Sequence, residues 1–110
     1  ETMKAFLRAL VRSVRAAAAD PDEAVASVLK RNEGARRDVE AERLRMAIEQ
    51  YVGTDWVRAN GFGGIDPARW SRALDQLALG APLKDRAKAE ETFTDAFLPE
   101  ESARKLAFPS

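Results

Sequence analysis

Cysteine and histidine are both absent from this chain of 110 residues. Without cysteine, disulfide bonds and thiolate catalysis are excluded. Without histidine, the side chain that most often acts as general base and metal ligand near neutral pH is missing, and the usual zinc sites are excluded with it. We therefore predict that the chain is not an enzyme and uses no cofactor.

The sequence also lacks long apolar runs and an excess of charge of either sign. Its longest apolar run is Ala16 to Ala19, far short of the roughly 20 residues that cross a bilayer as a helix. Lys plus Arg and Asp plus Glu number 18 each, so no overall field attracts nucleic acid. We expect a soluble protein that does not bind nucleic acid.

Large apolar residues are scarce for a self-contained domain. Hydrophobic residues make up 45% of the chain, but 21 of them are alanine, and a domain of this size buries only about two-thirds of its unfolded surface. We expect one helical segment over residues 1–110. Its start at Glu1-Thr2-Met3 has the character of a cut into a longer protein.

Apolar residues recur at spacings of three and four along most of the chain, which is the pattern of amphipathic helices. Asp20-Pro21 and Asp66-Pro67 each combine a capping residue with a proline suited to the first helical position. No stretch alternates as a strand does. The predicted class is all-α, a bundle of about five helices with short loops, over about residues 2–19, 21–31, 36–52, 54–60 and 67–79, with short turns after 84.

The same periodicity predicts which side chains of the later helices point inward. In the third helix these are Val39, Leu44, Ala47, Ile48 and Tyr51, and in the fifth they are Trp70, Leu74, Leu77 and Ala78. Gly34 is expected to end the second helix in the left-handed conformation, which glycine adopts without strain.

The first helix carries two rows of side chains with different chemistry. Its apolar face is predicted to pack on another part of the protein and consists of Met3, Phe6, Leu7, Leu10, Val11 and Val14. The opposite side carries a basic row of Lys4, Arg8, Arg12 and Arg15. That row could meet an acidic partner or phospholipid headgroups, although the favoured interpretation is a solvated face paired with acids elsewhere in the fold.

Two residues are candidates for ligand binding, Trp56 and Asn60. An indole can stack on a flat ligand or fill a core, and both interpretations stay open for Trp56, whereas the helical spacing of Trp70 favours the core. The glycine-rich loop Gly61-Phe62-Gly63-Gly64 precedes a helix, as in a phosphate cradle. The carboxylate of Asp66 would occupy the amides that a phosphate needs, so a tight turn is favoured there.

Neighbouring acids such as Glu90-Glu91 and Glu100-Glu101 could suggest acid–base catalysis. Such catalysis needs two carboxylates held across a cleft with separated pKa values. Acids at the first turn of a helix stabilise it instead, and we favour that interpretation.

Three stretches together resemble a known family. Ala5 to Leu10, with the later Asp20-Pro21-Asp22-Glu23-Ala24-Val25, is similar to a segment of the solute-binding proteins of ABC transporters, in the branch that binds sulfonates, thiamine-pyrimidine precursors and riboflavin. Gly61 to Trp70 is similar to that branch's glycine-rich element before "dpaRw", and Phe97-Leu98-Pro99 to its terminal "FLP". The order and spacing agree over nearly the whole chain.

The resemblance implies the C-terminal helical portion of a two-lobed α/β periplasmic binding protein. Implied partners are the N-terminal lobes of the parent protein, a membrane-bound ABC permease and a small solute bound in the parent, and the implied location is the periplasm or cell envelope. The alternative is a free-standing helical protein–protein interaction module. The apolar face of the first helix would also permit self-association of the isolated chain.

Overall fold

The computed structural model describes residues 1–108 and is built of helices. Six α-helices follow one another: α1 (Thr2–Ala19), α2 (Pro21–Arg31), α3 (Arg37–Ala47), α4 (Asp55–Asn60), α5 (Pro67–Gly80) and α6 (Ala89–Thr92). A π-helical turn, Ile48–Val52, continues α3, and a 3-10 turn spans Glu101–Arg104. No strand occurs in residues 1–108, so the predicted all-α class is confirmed. None of these helices is long and apolar enough to cross a membrane.

Side-chain caps fix the starts of three helices. The Oδ1 atom of Asp20 accepts a hydrogen bond from the Glu23 amide at 3.1 Å, and Oδ1 of Asp66 accepts from the Ala68 amide at 2.9 Å. The hydroxyl of Thr54 does the same for the start of α4. Each bond satisfies an amide that the first helical turn leaves without a partner, so these starts are set by the local sequence.

The third helix departs from the prediction of a continuous helix over residues 36–52. The α-helix ends at Ala47, and the chain then widens into a π-helical turn that closes at Gly53. A π-helical turn places one additional residue in the ring closed by each hydrogen bond, so the following side chains rotate out of the α-helical register. The prediction that Tyr51 points inward is therefore wrong: its side chain is 77% exposed.

The end of α2 also differs from the prediction. Positive φ angles occur only at Gly61 and Gly63 among the described residues, so Gly34 does not adopt the left-handed cap conformation. Asn32 follows the last helical residue with an extended backbone, and its side-chain oxygen accepts from the Gly34 amide at 3.2 Å. An asparagine side chain commonly closes a turn in this way, and here it replaces the glycine cap.

The inward face predicted for α5 is only partly covered. Leu74 is 9% exposed, whereas Leu77 is 53% exposed. The helix that packs on α5 is α6, and it is only four residues long. It therefore covers the first turns of α5 and leaves the later turns open, which is why the predictions for Leu77 and for Ala78, also exposed, are wrong.

The helices form two groups that the C-terminal segment, residues 97–108, joins. In one group α1 packs on α2 and α2 on α3; in the other α6 packs on α5. Within the C-terminal segment, the Ala103 carbonyl accepts from Arg15 of α1 at 3.1 Å, and Lys105 Nζ donates to the Ala59 carbonyl of α4. The last described residue, Phe108, lies under the guanidinium of Arg58 at 4.3 Å, a cation–π contact.

The chain has an open shape for its mass. Its accessible surface is 8295 Å², whereas a compact monomer of 12.1 kDa exposes about 6,000 Å². Its radius of gyration is 16.8 Å, against about 13 Å for a compact domain of this length. Among the described residues, the only buried hydrophobic side chains are those of Val11, Ala18, Val25 and Leu74. The chain thus presents roughly 2,000 Å² more surface than a self-contained domain does.

Candidate interaction surfaces

The first half of α1 carries an uncovered apolar row, which we define as Met3, Phe6 and Leu10. These side chains are 53%, 60% and 43% exposed. The predicted face divides along the helix, because Val11 is 3% exposed and Leu7 and Val14 are half-buried. The second half of α1 packs on α2 and the 3-10 turn, so only the first half is free to meet another molecule.

The basic row of α1 has no acidic partner within residues 1–108. Lys4, Arg8, Arg12 and Arg15 form none of the ion pairs found there, and α1 itself contains no Asp or Glu. Arg15 donates instead to the Ala103 carbonyl. The row is therefore the solvated face that the favoured interpretation predicts, but the expected ion pairs with acids elsewhere in the fold do not occur within residues 1–108.

The two ligand-binding candidates lie one turn apart in α4. Trp56 is half-buried, and its ring lies against the backbone of Gly64, where an added Cβ would come within 2.9 Å of Trp56 Cη2. The side-chain amide of Asn60 donates to the Trp56 carbonyl at 3.0 Å, so its nitrogen is used inside the helix. Trp56 also lines a shallow groove of about 340 Å³ with Ile65 and Trp70.

A second groove, of about 400 Å³, lies on the other side of Trp70. Its apolar walls are Ile65, Pro67, Trp70 and Phe93, with the Trp70 and Phe93 rings 6.4 Å apart and inclined by 49°. The indole Nε1 donates to the hydroxyl of Thr92 at 2.9 Å. Trp70 therefore links α5 to α6 and is half-buried.

The glycine-rich loop is built around Arg104 of the 3-10 turn. The Phe62 amide donates to the Arg104 carbonyl at 2.8 Å, while the Arg104 guanidinium donates to the carbonyls of Phe62 and Pro99, both at 2.9 Å. Gly61 has φ +82, and a Cβ there would lie 3.0 Å from the Cβ of Arg104. The Phe62 amide is thus already hydrogen-bonded within the protein, which supports the interpretation as a tight turn over the interpretation as a phosphate cradle.

Sequence reasoning did not single out Arg104. Its partners are backbone carbonyls, which every residue has, and Phe62 lies 42 positions away along the chain. The only available signal was indirect: three glycines in one loop indicate that another part of the chain approaches the backbone closely.

The remaining charged clusters lie on the surface and stabilise helices. Arg45 donates to Glu42 and Glu49 across one turn of the third helix and the π-helical turn. Hydrogen bonding from Arg45 lowers the pKa of Glu42, and the same bonds raise the pKa of Arg45. In residues 1–108 no group of three or more acidic side chains is arranged to hold a metal ion.

Comparisons with protein-family models, with curated proteins and with solved structures found no match for this chain. The resemblance to solute-binding proteins therefore depends on the quoted stretches alone. Two of those stretches meet in the fold: the side chain of Leu98 lies beside Gly63, and Arg104 joins the Phe62 and Pro99 carbonyls.

Proposed function

We propose that this chain is the C-terminal helical part of an ABC-transporter solute-binding protein, and that it packs on the remaining lobes of that protein. The parent would capture a thiamine precursor, a riboflavin-like heterocycle or a sulfonate for import by a permease at the cell envelope. The helical part would have no catalytic activity and would hold the lobes in place while they close on the solute.

The observation that carries this proposal is the surplus of exposed surface. Roughly 2,000 Å² beyond the area of a compact monomer is comparable with the area buried when permanent partners associate. Several large apolar side chains are also exposed, and contiguous exposed apolar patches often mark interaction surfaces. The surplus therefore supports a chain that is completed by further polypeptide.

The distribution of exposed apolar side chains favours a large partner over a single docking helix. They occur on the first half of α1, on α2, at the end of α3 and in the π-helical turn after it, and along and after α5: Met3, Phe6, Leu10, Val28, Met46, Tyr51, Leu77, Leu79, Leu83 and Phe97. A free-standing interaction module that binds one helix needs only one such groove. We therefore rank the module second, and the apolar row of α1 is the feature that favours it.

The proposal is tested with the longer reading frame that contains this chain. We expect signal and α/β lobe sequences upstream, and we expect the purified protein to show a raised melting temperature with one of the three solute classes. A solute at 100 times its Kd stabilises the folded state by about 2.7 kcal/mol, which is readily measured. A longer protein without α/β lobes, or one that none of the three classes stabilises, would refute the proposal.

A further inference from the structure

The groove between α5 and α6 combines aromatic walls with acidic side chains. The rings of Trp70 and Phe93 form part of its walls, and the side chains of Glu90 and Asp95 line it as well. Its charged lining residues are both acidic, whereas the groove on the other side of Trp70 is lined by one acidic and one basic side chain. Its volume of about 400 Å³ lies in the range of small-molecule sites. We call it the aromatic groove.

The two rings of the aromatic groove lie close enough together to contact one small ligand. The centroids of Trp70 and Phe93 are 6.4 Å apart, and the ring planes are inclined by 49°. A cation is attracted to a ring face within about 6 Å of the centroid, so one positive charge can lie within reach of both rings. A flat ligand that lies against both rings would need walls that are close to parallel. The inclination therefore favours a rounded cation over a flat heterocycle.

The indole of Trp70 is fixed in place by α6. Its Nε1 atom donates to the hydroxyl of Thr92 at 2.9 Å, and that hydroxyl donates in turn to the Ala89 carbonyl at 3.0 Å. The polar edge of the indole is therefore already hydrogen-bonded, and its ring is left to contact a ligand. A side chain that is held in position before binding loses less conformational entropy when a ligand arrives.

The mixture of rings and carboxylates selects among cations. A metal ion takes several oxygen ligands in place of its water, and within residues 1–108 no group of three or more acidic side chains is arranged to supply them. A quaternary ammonium group carries its charge beneath methyl groups, which pack on apolar and aromatic walls. The carboxylates of Glu90 and Asp95 attract that charge and repel anions.

We propose that the aromatic groove binds a small quaternary ammonium compound, with its methyl groups against Trp70 and Phe93 and its charge beside the carboxylates of Glu90 and Asp95. The inference goes beyond the proposed function and does not rest on it, because every residue that lines the aromatic groove belongs to this chain.

The test uses the 110-residue chain and choline as the probe. The matched neutral compound is dimethylbutanol with carbon in place of the choline nitrogen. Binding is followed by the indole N–H signals of the two tryptophans in proton–nitrogen correlation spectra, and Trp56→Phe identifies which signal belongs to Trp70. Choline should shift the Trp70 signal and bind at least about tenfold more tightly than dimethylbutanol. That ratio corresponds to about 1.4 kcal/mol, which two cation–π contacts and two carboxylates at an open site supply.

Charge variants separate the groove carboxylates from net charge. E90Q/D95N keeps the shape of both side chains and should weaken choline binding about fivefold, without changing the binding of dimethylbutanol. D22N/E33Q removes the same charge at exposed positions on and after α2 and should leave choline binding intact.

Ring variants separate the aromatic wall from general hydrophobicity. F93L keeps an apolar side chain but removes the ring, and it should weaken choline binding about threefold. F97L makes the same change at a residue that does not line the aromatic groove and should bind choline as the unaltered chain does. Circular dichroism checks that each variant is folded.

The inference is overturned if choline leaves the Trp70 signal unmoved, or if choline and dimethylbutanol bind equally well. It is also overturned if E90Q/D95N and D22N/E33Q bind choline equally well, or if riboflavin shifts the Trp70 signal and choline does not, which would assign the groove to a flat heterocycle. The solute assay on the longer protein reads the proposed function separately. A failed solute screen beside charge-selective choline binding would remove the proposed function and leave this site.

Discussion

The hydrogen bonds that Arg104 makes to the glycine-rich loop and to Pro99 give the sharpest prediction for stability. Replacing Arg104 with alanine removes two guanidinium hydrogen bonds, to the carbonyls of Phe62 and Pro99. Hydrogen bonds to charged groups contribute about 1.5–3 kcal/mol each. Arg104 is only half-buried, so water partly replaces the lost donors, and we expect a loss of about 2 kcal/mol for the pair.

The assay is thermal and urea unfolding followed by far-ultraviolet circular dichroism. For a domain near this size, 1 kcal/mol corresponds to roughly 4–8 °C in Tm, so Arg104→Ala should melt about 10 °C lower. Arg104→Lys keeps the charge, but a single amine cannot donate to both carbonyls with the guanidinium geometry. We expect it to lose about half as much stability as the alanine variant.

The matched control is Arg72→Ala. Arg72 is exposed on α5 and forms no ion pair among the described residues, so its replacement should change stability by less than about 0.5 kcal/mol. If the free energies of unfolding of Arg104→Ala and Arg72→Ala lie within that margin of each other, the Arg104 hydrogen bonds do not stabilise the fold and the reasoning fails.

Two further predictions concern packing around the tryptophans. Gly64→Ala should lower the free energy of unfolding by about 1–3 kcal/mol, because the new Cβ would lie 2.9 Å from Trp56. The control Gly80→Ala meets no atom within 4 Å and should be neutral or stabilising by up to about 1 kcal/mol. Equal melting temperatures for the two variants would contradict this prediction. Trp70→Phe should lower the free energy of unfolding by about 1 kcal/mol, because it removes the hydrogen bond from the indole to Thr92. A double-mutant cycle with Thr92→Val should show a coupling energy of at least about 0.5 kcal/mol. Strict additivity in that cycle would mean that the bond does not contribute.

The starts of the helices could be predicted because their causes are local. Asp20-Pro21 and Asp66-Pro67 contain within a few residues the cap acceptor, the proline and the amides that need a partner. The all-α class followed from the spacing of apolar residues for the same reason. These features require no knowledge of what lies on the other side of the helix.

Burial could not be predicted in the same way, because it depends on what covers each face. Leu74 and Leu77 share one face of α5, yet only Leu74 is buried, since α6 ends after four residues. Tyr51 turned outward because α3 widens into a π-helical turn, and a periodic pattern of 3.6 residues does not reveal that change. On α1 the pattern identified an apolar face but not which half of it would remain uncovered.

The bonds that join the two helical groups explain why the basic row of α1 is left free. Arg15 and Arg104 donate to backbone carbonyls of Ala103, Phe62 and Pro99 rather than to carboxylates. Neutral carbonyls orient a guanidinium without compensating its charge. Most ion-paired carboxylates have their partner within the same helix or next to it in sequence. The fold is therefore held together without drawing acids toward α1, and no ion pair within residues 1–108 neutralises Lys4 or Arg8.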